Sequence, residues 1–432
     1  MSPIYIIYRV VTSGAFLVGF PPFLVFSCLS GRHQKGLRER IGLVPRALFQ
    51  GEEGAPRIWI HAVSLGEVKA AIPVIGCLRA LVPGCFVSLS TTTDHGHSLA
   101  QKSLEGAPVF YAPVDVDFSV RRALSRVRPD VMVFMETELW PAWITGAQSM
   151  GARTVVINGR ISSRSIDRYV KFRPLFREVL GKVDAFSMIS AQDADRIIRL
   201  GAEPGRVTVN GNSKYELLIQ MANPAAEEEM RGLLNLRPFQ KTFIAGSTSR
   251  GEEDFVLDAY KELMKTFPEM VLVIAPRHIK RTPLIEGLVR SKGLGYQLRT
   301  DLGRPGIKRT EPVVIMNNFG ELFKLYSVGD IIFCGGSLIP AGGQNPLEAA
   351  VWGKVVFFGP SMDDFMDAKA MLEGVGAGIM VSKPEDFQEK ALWLLNHPDV
   401  SERRGIRARE AIARNQGAAQ RHAEIVASML TW

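Results

Sequence analysis

The sequence predicts an α/β protein with two Rossmann-like, doubly wound domains that face each other across a cleft, behind a membrane-associated N-terminal segment. Three observations support this prediction. Short β-branched runs alternate with helical stretches from residue 57 onwards, which is the pattern of a parallel sheet covered by helices. The alternation stops at residues 211–239 and then starts again. A long uncharged apolar stretch lies close to the N-terminus.

The N-terminal segment, residues 1–31, is predicted to be a membrane anchor. Residues 10–31 carry no charge, and about 20 apolar residues are enough to span a bilayer. Pro21 and Pro22 remove backbone donors where lipid offers no replacement, so a single-pass helix and a re-entrant helix both stay open. The segment Arg32–Arg46 follows with five cations and one carboxylate, which favours a cytoplasmic, membrane-facing side. A buried core helix with a solvated basic flank is the competing interpretation.

Composition limits the partners and cofactors. The 432 residues include 52 Lys and Arg against 44 Asp and Glu, and this excess of positive charge favours an anionic partner. The chain has no basic helix with interleaved aromatic residues and no known nucleic-acid-binding module, which argues against nucleic acid. The four cysteines form no CxxC pair and no metal-ligand spacing, so we expect neither a disulfide framework nor a metal site.

The first domain is predicted to cover residues 32–210, and helices such as Glu67–Leu81 and Ala191–Leu200 connect its strands. Its seven predicted strands are Arg57–Val63, Cys85–Thr91, Val109–Ala112, Asp130–Met135, Thr154–Asn158, Ala185–Ile189 and Val207–Val209. A linker at residues 211–239 contains an acidic helix, and the second domain covers residues 240–432. Its five predicted strands are Thr242–Ala245, Met270–Ile274, Pro312–Met316, Asp330–Cys334 and Lys354–Phe358.

Candidate site residues of the first domain follow its strands, because ligands of open α/β sheets bind outside the carboxyl ends of the strands. His61–Glu67 forms a Ser–Gly turn before a helix, which is either an anion site or an ordinary capped turn. Glu136 and Glu138 follow a buried strand directly, and they either face the cleft or form a solvated salt bridge. Lys214 opens the linker, where it is either solvated or placed to offset the charge of a phosphate or carboxylate.

Four strand ends of the second domain carry signals for a nucleotide. Ala245–Glu253 joins a glycine and three hydroxyls to a helix start, which suits a phosphate. Arg277 ends another strand with a cation that can bind phosphate in a bidentate way. Asn317–Leu322 starts a helix, and Gly335–Ala350 places four glycines before a helix led by Pro346. Together these predict a nucleotide-type ligand in the second domain.

Seven blocks of sequence resemble, in this order, the 3-deoxy-D-manno-octulosonic acid (Kdo) transferases of lipopolysaccharide synthesis, which are GT-B glycosyltransferases. The blocks are HAVSLGE, METELWP, NGRIS, GNSKYE, GSTSRGEE, APRH and GGSLIPAGGQNPLEAA, and the resemblance covers about residues 32–420. It implies a first domain that binds the acceptor and a second that binds CMP-Kdo. It also implies a monomer at the cytoplasmic side of the cell inner membrane, without a cofactor or metal, which transfers Kdo from CMP-Kdo to lipid IVA.

The resemblance assigns the general base to the basic stretch after the anchor. Glu39, in the context Glu39–Gly42, would accept the proton of the acceptor hydroxyl, and the flanking arginines would keep its carboxylate ionised. Arg38 and Arg40 are candidates for contacts with the phosphates of the lipid.

The resemblance also implies residues that stabilise the transition state and bind the nucleotide. Glu136, ahead of Glu138, and Lys214 match the stabilising glutamate and lysine, and Lys214 would hold the Kdo carboxylate or the departing CMP phosphate. The implied CMP contacts are Pro276, Arg277, Phe319, Gly320, Glu321, Asn345, Pro346, Leu347 and Glu348. Many family members have histidine where this chain has Gln344, so an ionic role of that position is in doubt. We expect direct displacement with inversion.

Two alternatives stay open from sequence alone. The chain could be another GT-B enzyme with a UDP-sugar donor and a different lipid acceptor, although HAVS, METELWP and Glu39 argue against it. A membrane-bound nucleotide-binding scaffold without catalysis would bind CMP but would lose no turnover on Glu39→Gln. The number of Kdo residues added and the acyl specificity for the acceptor are not readable from the sequence.

Overall fold

The fold is taken from a computed structural model that describes residues 3–30, 35–49, 55–161 and 163–430. The first residues of the predicted basic segment, 32–34, and Ser162 of the NGRIS block lie outside the described residues. The chain divides into two compact units, each built around a seven-stranded sheet. The units are Met1–Leu217 with Asn415–Trp432, and Leu218–Arg414.

The first sheet is parallel throughout and has the strand order β3-β2-β1-β4-β5-β6-β7. The order reverses between β1 and β4, and in open α/β sheets ligands bind at this switch point, beyond the carboxyl ends of the strands. All seven predicted strands are present, with small shifts of their ends: β1 (Arg57–His61), β2 (Phe86–Thr91), β3 (Val109–Tyr111), β4 (Val131–Met135), β5 (Arg153–Gly159), β6 (Ala185–Met188) and β7 (Val207–Val209).

Helices cover both faces of this sheet. Successive strand residues point to opposite faces, so Trp59 packs on one side with Phe134 and Trp143 while Ile58 packs on the other. The helices up to the unit boundary are α1 (Pro3–Ser30), α2 (Leu37–Arg40), α3 (Leu65–Leu81), α4 (Asp94–Ser103), α5 (Asp117–Val127), α6 (Pro141–Ser149), α7 (Ser163–Lys171), α8 (Arg173–Leu180), α9 (Ala191–Leu200) and α10 (Lys214–Met221).

Helix α1 is continuous through Pro21 and Pro22. The predicted anchor, residues 1–31, is therefore helical over Pro3–Ser30. The span Pro3–Phe23 has a mean hydropathy of 1.5 and is long and apolar enough to cross a membrane, and only 6% of its best window is buried. Tyr5 nevertheless packs into the core of the first unit, and Arg9 forms an ion pair of 2.9 Å with Asp117 at the start of α5.

The second sheet is also parallel and has the order β10-β11-β9-β8-β12-β13-β14, which reverses between β8 and β12. All five predicted strands are present, and β10 and β14 are additional. These two strands form the edges of the sheet and are only three residues long. Their side chains are not fully buried, so the apolar pattern in the sequence is weak there. The strands are β8 (Thr242–Thr248), β9 (Val271–Pro276), β10 (Tyr296–Leu298), β11 (Val313–Ile315), β12 (Ile331–Cys334), β13 (Val356–Phe358) and β14 (Gly378–Met380).

The helices of the second unit surround a core that is rich in phenylalanine, with Phe387 packed against Phe243, Phe333 and Phe357. These helices are α11 (Ala225–Leu233), α12 (Glu252–Thr266), α13 (Thr282–Ser291), α14 (Arg299–Leu302), α15 (Leu322–Leu325), α16 (Leu347–Ala350), α17 (Met366–Gly374), α18 (Pro384–Asn396) and α19 (Pro398–Ala413). The acidic helix predicted in the linker is α11.

The last helix, α20 (Ala418–Ser428), belongs to the first unit although the predicted second domain ran to residue 432. It packs against α3 and buries Ala419, Ala423 and Val426 on the sheet face that carries Ile58. A face of small and β-branched side chains suits close helix packing equally well on either sheet, so local sequence does not reveal which unit it joins.

Candidate active site and nucleotide loops

The turn from β1 into α3 buries a glutamate at the switch point of the first sheet. The Ser64 hydroxyl accepts a hydrogen bond from the backbone N–H of Glu67, and the Glu67 carboxylate accepts from Val63 N (2.7 Å) and from the Ser64 hydroxyl (3.1 Å). This is a variant of the capping box, in which the glutamate accepts from the backbone N–H of the residue before the N-cap instead of the N-cap itself. Only 8% of Glu67 is exposed.

The end of β4 brings a second glutamate to the same switch point. Glu136 has φ = 54°, a left-handed conformation that costs energy in a residue other than glycine. Its carboxylate forms an ion pair with the Lys214 ammonium. The Lys214 Nζ lies 3.8 Å from the position that a Cβ on Gly66 would occupy, so the lysine also reaches the start of α3.

Glu138 completes a group of three carboxyls and one ammonium. The indole N–H of Trp140 donates to Glu138, and α6 begins at the next residue, Pro141. Burial and the nearby charges of Glu136 and Glu138 raise the pKa of Glu67 to about 8, and burial raises the pKa of Glu138 to about 7. Carboxyls with pKa values near neutrality can take up or release a proton in a reaction.

The last helix holds the loop that carries Lys214. Arg421 donates to the carbonyl of Asn210 at 2.9 and 3.1 Å, and the His422 ring lies 3.0 Å from the carbonyl of Gly211 and 2.7 Å from the Ser187 hydroxyl. Burial lowers the pKa of His422 to about 4, which keeps the ring neutral. A neutral imidazole can donate from one nitrogen and accept at the other, which satisfies both partners.

Glu39 lies at the carboxyl end of β3, which is the edge strand of the first sheet and pairs with β2. Its Oε2 accepts the backbone N–H of Tyr111 at 2.5 Å, so the carboxylate ties α2 to the sheet. The Tyr111 ring stacks on His97, with ring centroids 4.2 Å apart, and its hydroxyl donates to Asp94 at 2.8 Å. This neighbourhood differs from the cluster of Glu67, in which carboxyls face one another.

The two arginines beside Glu39 differ in environment. Arg40 lies over the Tyr111 ring at 4.8 Å and donates to the carbonyl of Thr92 at 2.7 Å, so it is held by the protein. Arg38 is exposed and lines a surface cavity together with Glu39.

A protein carboxylate occupies the switch point of the second sheet. Glu252, at the start of α12, is only 1% exposed and accepts four backbone N–H groups. Its donors, at distances of 2.7 to 2.9 Å, are Ser249 on its own loop and Gly336, Ser337 and Leu338 after β12. The sequence predicted that backbone N–H groups of these loops bind a phosphate. The four N–H groups named here already donate to the Glu252 carboxylate.

The glycine-rich loop also serves the protein's own packing. A Cβ on Gly335 would lie 2.6 Å from the carbonyl oxygen of Ser247, so β12 can leave the sheet here only with glycine. Pro346 is the N-cap residue of α16 and not its first helical residue, and this helix is four residues long. Asn345 Oδ1 accepts the backbone N–H of Leu347 at 3.1 Å.

The other predicted CMP contacts lie beyond the strands of the second sheet. Pro276 is buried at the end of β9, and Arg277 is exposed while its backbone N–H donates to Thr248 at 2.9 Å. Phe319 is 80% exposed beside Gly320, which has φ = 95°. The other two predicted CMP contacts with charged side chains are Glu321 and the half-buried Glu348.

Glu321 is held by a residue that the sequence did not single out. Arg299 donates from Nε and Nη2 to the two carboxylate oxygens, at 2.6 and 2.8 Å. This bidentate pair and the three contacts of Glu252 with the loop after β12 have no local sequence signal, because the partners come from different strand ends. The contact of Glu252 with Ser249 has one, the Ser-x-x-Glu spacing. Glu67 did have one, the Ser-x-x-Glu spacing of a capping box from Ser64.

Residues 35–217 match the family model described as 3-Deoxy-D-manno-octulosonic-acid transferase (kdotransferase). The chain is 32% identical to the 3-deoxy-D-manno-octulosonic acid transferase of Haemophilus influenzae, over 96% of this chain and 97% of that protein. It is 30% identical to the enzyme of that name from Chlamydia pneumoniae, over 91% and 89%. A bifunctional glycosyltransferase/methyltransferase of Fusobacterium nucleatum is 34% identical over 80% of this chain, which spans 53% of that protein's length.

Solved structures support the GT-B-type fold. A UDP-GlcNAc 2-epimerase from Neisseria meningitidis aligns with a TM-score of 0.61 and 15% identity, over 86% of this chain and 99% of that one. A glycosyltransferase from Rickettsia africae aligns with a TM-score of 0.59 and 13% identity, over 87% and 99%. At these identities the likeness concerns the fold alone. The nearly full-length similarity to the Haemophilus influenzae enzyme shows that this chain belongs to the 3-deoxy-D-manno-octulosonic acid transferase family of glycosyltransferases.

Proposed function

We propose that this chain transfers Kdo from CMP-Kdo to lipid IVA, at the cytoplasmic side of the cell inner membrane. The observation that carries the proposal is the group of Glu67, Glu136, Glu138 and Lys214 at the switch point of the first sheet. Membership of the Kdo transferase family supports the sugar that is moved. The apolar helix α1 supports a position at the membrane.

In the proposed reaction an acceptor hydroxyl attacks the anomeric carbon of Kdo. A bond forms between that oxygen and the anomeric carbon, and the bond from this carbon to the CMP phosphate oxygen breaks. CMP leaves with the electron pair, the hydroxyl proton passes to a carboxylate of the enzyme, and the configuration inverts. Lys214 offsets the negative charge of the Kdo carboxylate or of the departing phosphate.

Two glutamates are candidates for the base. Glu39 is the one that the family resemblance suggests. Both candidates already accept hydrogen bonds within the protein, Glu39 from the Tyr111 N–H and Glu67 from the Val63 N–H and the Ser64 hydroxyl. Glu67 is the one that its surroundings suggest, because it is buried among Glu136, Glu138 and Lys214 and its pKa is raised to about 8, so that its ionised fraction is a strong base. A carboxylate that binds a proton readily near neutrality makes an effective general base.

The second unit is proposed to bind CMP-Kdo through the loops after its strands. Arg277 supplies a cation for a phosphate, the exposed Phe319 supplies an apolar surface for the base, and Glu348 supplies acceptors for the ribose hydroxyls. Glu321 is fixed by Arg299 and can accept hydrogen bonds from the cytosine.

A mass-spectrometric transfer assay tests both the reaction and the base. Detergent-solubilised wild type, Glu39→Gln, Glu67→Gln and the control Glu105→Gln, which changes an exposed carboxylate, are incubated with CMP-Kdo and lipid IVA. We expect products with added Kdo from the wild type and the control, and at least a hundredfold slower transfer by Glu67→Gln, since general-base catalysis contributes about 10²–10⁴-fold.

Each outcome of this assay has a distinct meaning. Full activity of Glu67→Gln together with loss in Glu39→Gln would move the base to Glu39. Absence of Kdo transfer by the wild type, with transfer from a UDP-sugar donor, would refute the proposed donor. CMP binding without transfer from either donor would leave a non-catalytic nucleotide-binding protein.

A further inference from the structure

A cavity of about 480 Å³ lies in the first unit, where the chain after α1 packs against α5. Its charged walls are Arg38, Arg46 and Arg126 together with Glu39, and residues 43–45 form its apolar part. The arginines come from separate elements: α2, the 3₁₀ turn Arg46–Phe49 and the last turn of α5. The cavity is therefore formed by tertiary packing.

The walls of this cavity are fixed to one another. A Cβ on Gly42 would lie 2.2 Å from the carbonyl oxygen of Ser119, so the chain approaches α5 as closely as glycine allows. The Ser119 hydroxyl donates to the carbonyl of Arg40 at 2.9 Å, and the backbone N–H of Leu43 donates to the carbonyl of Arg38 at 2.8 Å. These contacts hold the cations from the α2 segment close to the cation from α5.

The three arginines of the cavity have no hydrogen-bond or ion-pair partner among the described side chains and carbonyls. Neighbouring cations that do not line the cavity are engaged, since Arg40 donates to Thr92 and Arg121 pairs with Asp117 at 3.0 Å. Converging guanidinium groups repel one another and leave many N–H donors unused, which favours an anion with several acceptor oxygens.

The charge of the cavity selects among anions. Three guanidinium groups and the Glu39 carboxylate leave a net charge of about +2, which matches a phosphate monoester with its charge of about −2 near neutral pH. A phosphodiester, with a single negative charge, would leave one cation uncompensated. Bidentate contacts from arginine also suit a terminal phosphate with three free oxygens.

The surroundings of the cavity indicate a ligand carried by a lipid. Leu43 is 38% exposed at the cavity. The other end of α5 carries Phe118, whose ring packs against Phe16 of α1, and the outward side of α1 exposes Val11 and Val18. Phe118 and Arg126 lie eight residues apart on α5, about 12 Å along its axis. A lipid whose chains lie beside α1 therefore has its head group within reach of the cavity.

We infer that the cavity of Arg38, Arg46 and Arg126 is a subsite for a phosphate monoester on a membrane lipid. The inference rests on the proposed function for one step only, the identification of that lipid as the acceptor. In that role the subsite anchors the acceptor through its phosphate and sets which end of the molecule faces the reaction. Arg46 and Arg126 are then binding residues, and Arg40, which is held by Tyr111 and Thr92, is not part of this subsite.

Vesicle flotation tests the subsite without any turnover. The full chain is mixed with phosphatidylcholine vesicles that contain either phosphatidic acid, a phosphate monoester, or the same fraction of phosphatidylglycerol, a phosphodiester. We expect about tenfold tighter binding to phosphatidic acid, since a hydrogen bond to a charged group contributes about that factor or more. Arg46→Gln and Arg126→Gln should each abolish most of this preference, while the exposed Arg128→Gln should keep it.

Three results would overturn the subsite. The first is equal binding of the wild type to the two lipids. The second is an equal loss of binding to both lipids in all three variants, which indicates general surface attraction. The third is binding of inorganic phosphate as tight as that of the lipid, with loss of the preference, which indicates a site for soluble phosphate. Unchanged thermal unfolding and unchanged CMP binding in the variants show that the fold is retained.

A transfer assay then separates this inference from the proposed function. With lipid IVA, Arg126→Gln is expected to raise the KM for the acceptor about tenfold and to leave the KM for CMP-Kdo unchanged. If wild type transfers no Kdo, the proposed function fails and the flotation result still decides the subsite. If wild type transfers Kdo and Arg126→Gln keeps its acceptor KM, the identification of the bound lipid as the acceptor fails, and flotation alone decides the subsite.

Discussion

Replacement of Glu252 by glutamine is expected to destabilise the second unit strongly, although it removes no atom from the core. The two carboxylate oxygens accept four backbone N–H groups at 2.7 to 2.9 Å. In Glu252→Gln one oxygen becomes an amide nitrogen, which cannot accept from the two N–H groups that face it. Two donors are left buried without a partner, and the amide hydrogens point towards them.

The magnitude follows from the number of bonds lost. A hydrogen bond to a charged group contributes about 1.5–3 kcal/mol, so the loss of two costs about 3–6 kcal/mol of the free energy of unfolding. For a unit of this size, about 1 kcal/mol corresponds to roughly 2–4 °C, so its Tm should fall by about 6–24 °C.

Urea unfolding measures the free-energy change, and hydrogen exchange of the amides of residues 336–338 locates it. Faster exchange at these amides is expected, because Glu252 is their acceptor. The matched control is Asp254→Asn on the same helix, whose side chain is 57% exposed and should change stability by less than about 0.5 kcal/mol. A loss below about 1 kcal/mol in Glu252→Gln would refute the account of this loop.

Three further predictions concern protonation, nucleotide binding and packing. The pKa of Glu67 is about 8 in the folded chain and 4.5 in a free side chain, so between these pH values the folded chain keeps a proton that the unfolded chain has released. The free energy of unfolding should therefore fall as the pH rises from 4.5 to 8. Unfolding measured at a series of pH values should show that Glu67→Gln removes most of this slope. Phe319→Ala should leave unfolding unchanged, because the ring is 80% exposed, and should weaken CMP binding in calorimetry by about 5- to 150-fold if the ring stacks on the base. A Cβ at Gly405 would lie 1.8 Å from the carbonyl oxygen of Gly353, so Gly405→Ala should cost about 3 kcal/mol in urea unfolding, whereas Gly287→Ala, with nothing within 4 Å, should gain about 0.5–1 kcal/mol.

Buried strands and chain order made most of the fold predictable. Val131–Met135 is buried at all five residues, and such a continuous apolar run is a strong strand signal. Tyr296–Leu298 and Gly378–Met380 were missed because edge strands pair on one side only and bury less. The proline pair at residues 21 and 22 left a single-pass and a re-entrant anchor open from sequence, and the helix continues past both prolines.

Side-chain partners across strand ends were harder to predict than the strands themselves. The sequence placed Glu136 and Lys214 at strand ends, and the structure brings the two together. It could not show that Glu252 satisfies amides more than eighty residues away, because that pairing depends on the sheet order. The base assignment to Glu39 rested on the family resemblance alone and stays a prediction.

The position of α20 in the first unit has a consequence for how the chain is synthesised. The ribosome completes residues 1–217 long before it makes Ala418–Ser428, yet Ala419, Ala423 and Val426 belong to the core of the first unit. During translation that core therefore stays uncovered on one face while the whole second unit is being made and can fold. The uncovered surface lies on the sheet face that carries Ile58, opposite the face on which Tyr5 of α1 packs, so membrane contact of α1 alone would leave it exposed until α20 emerges.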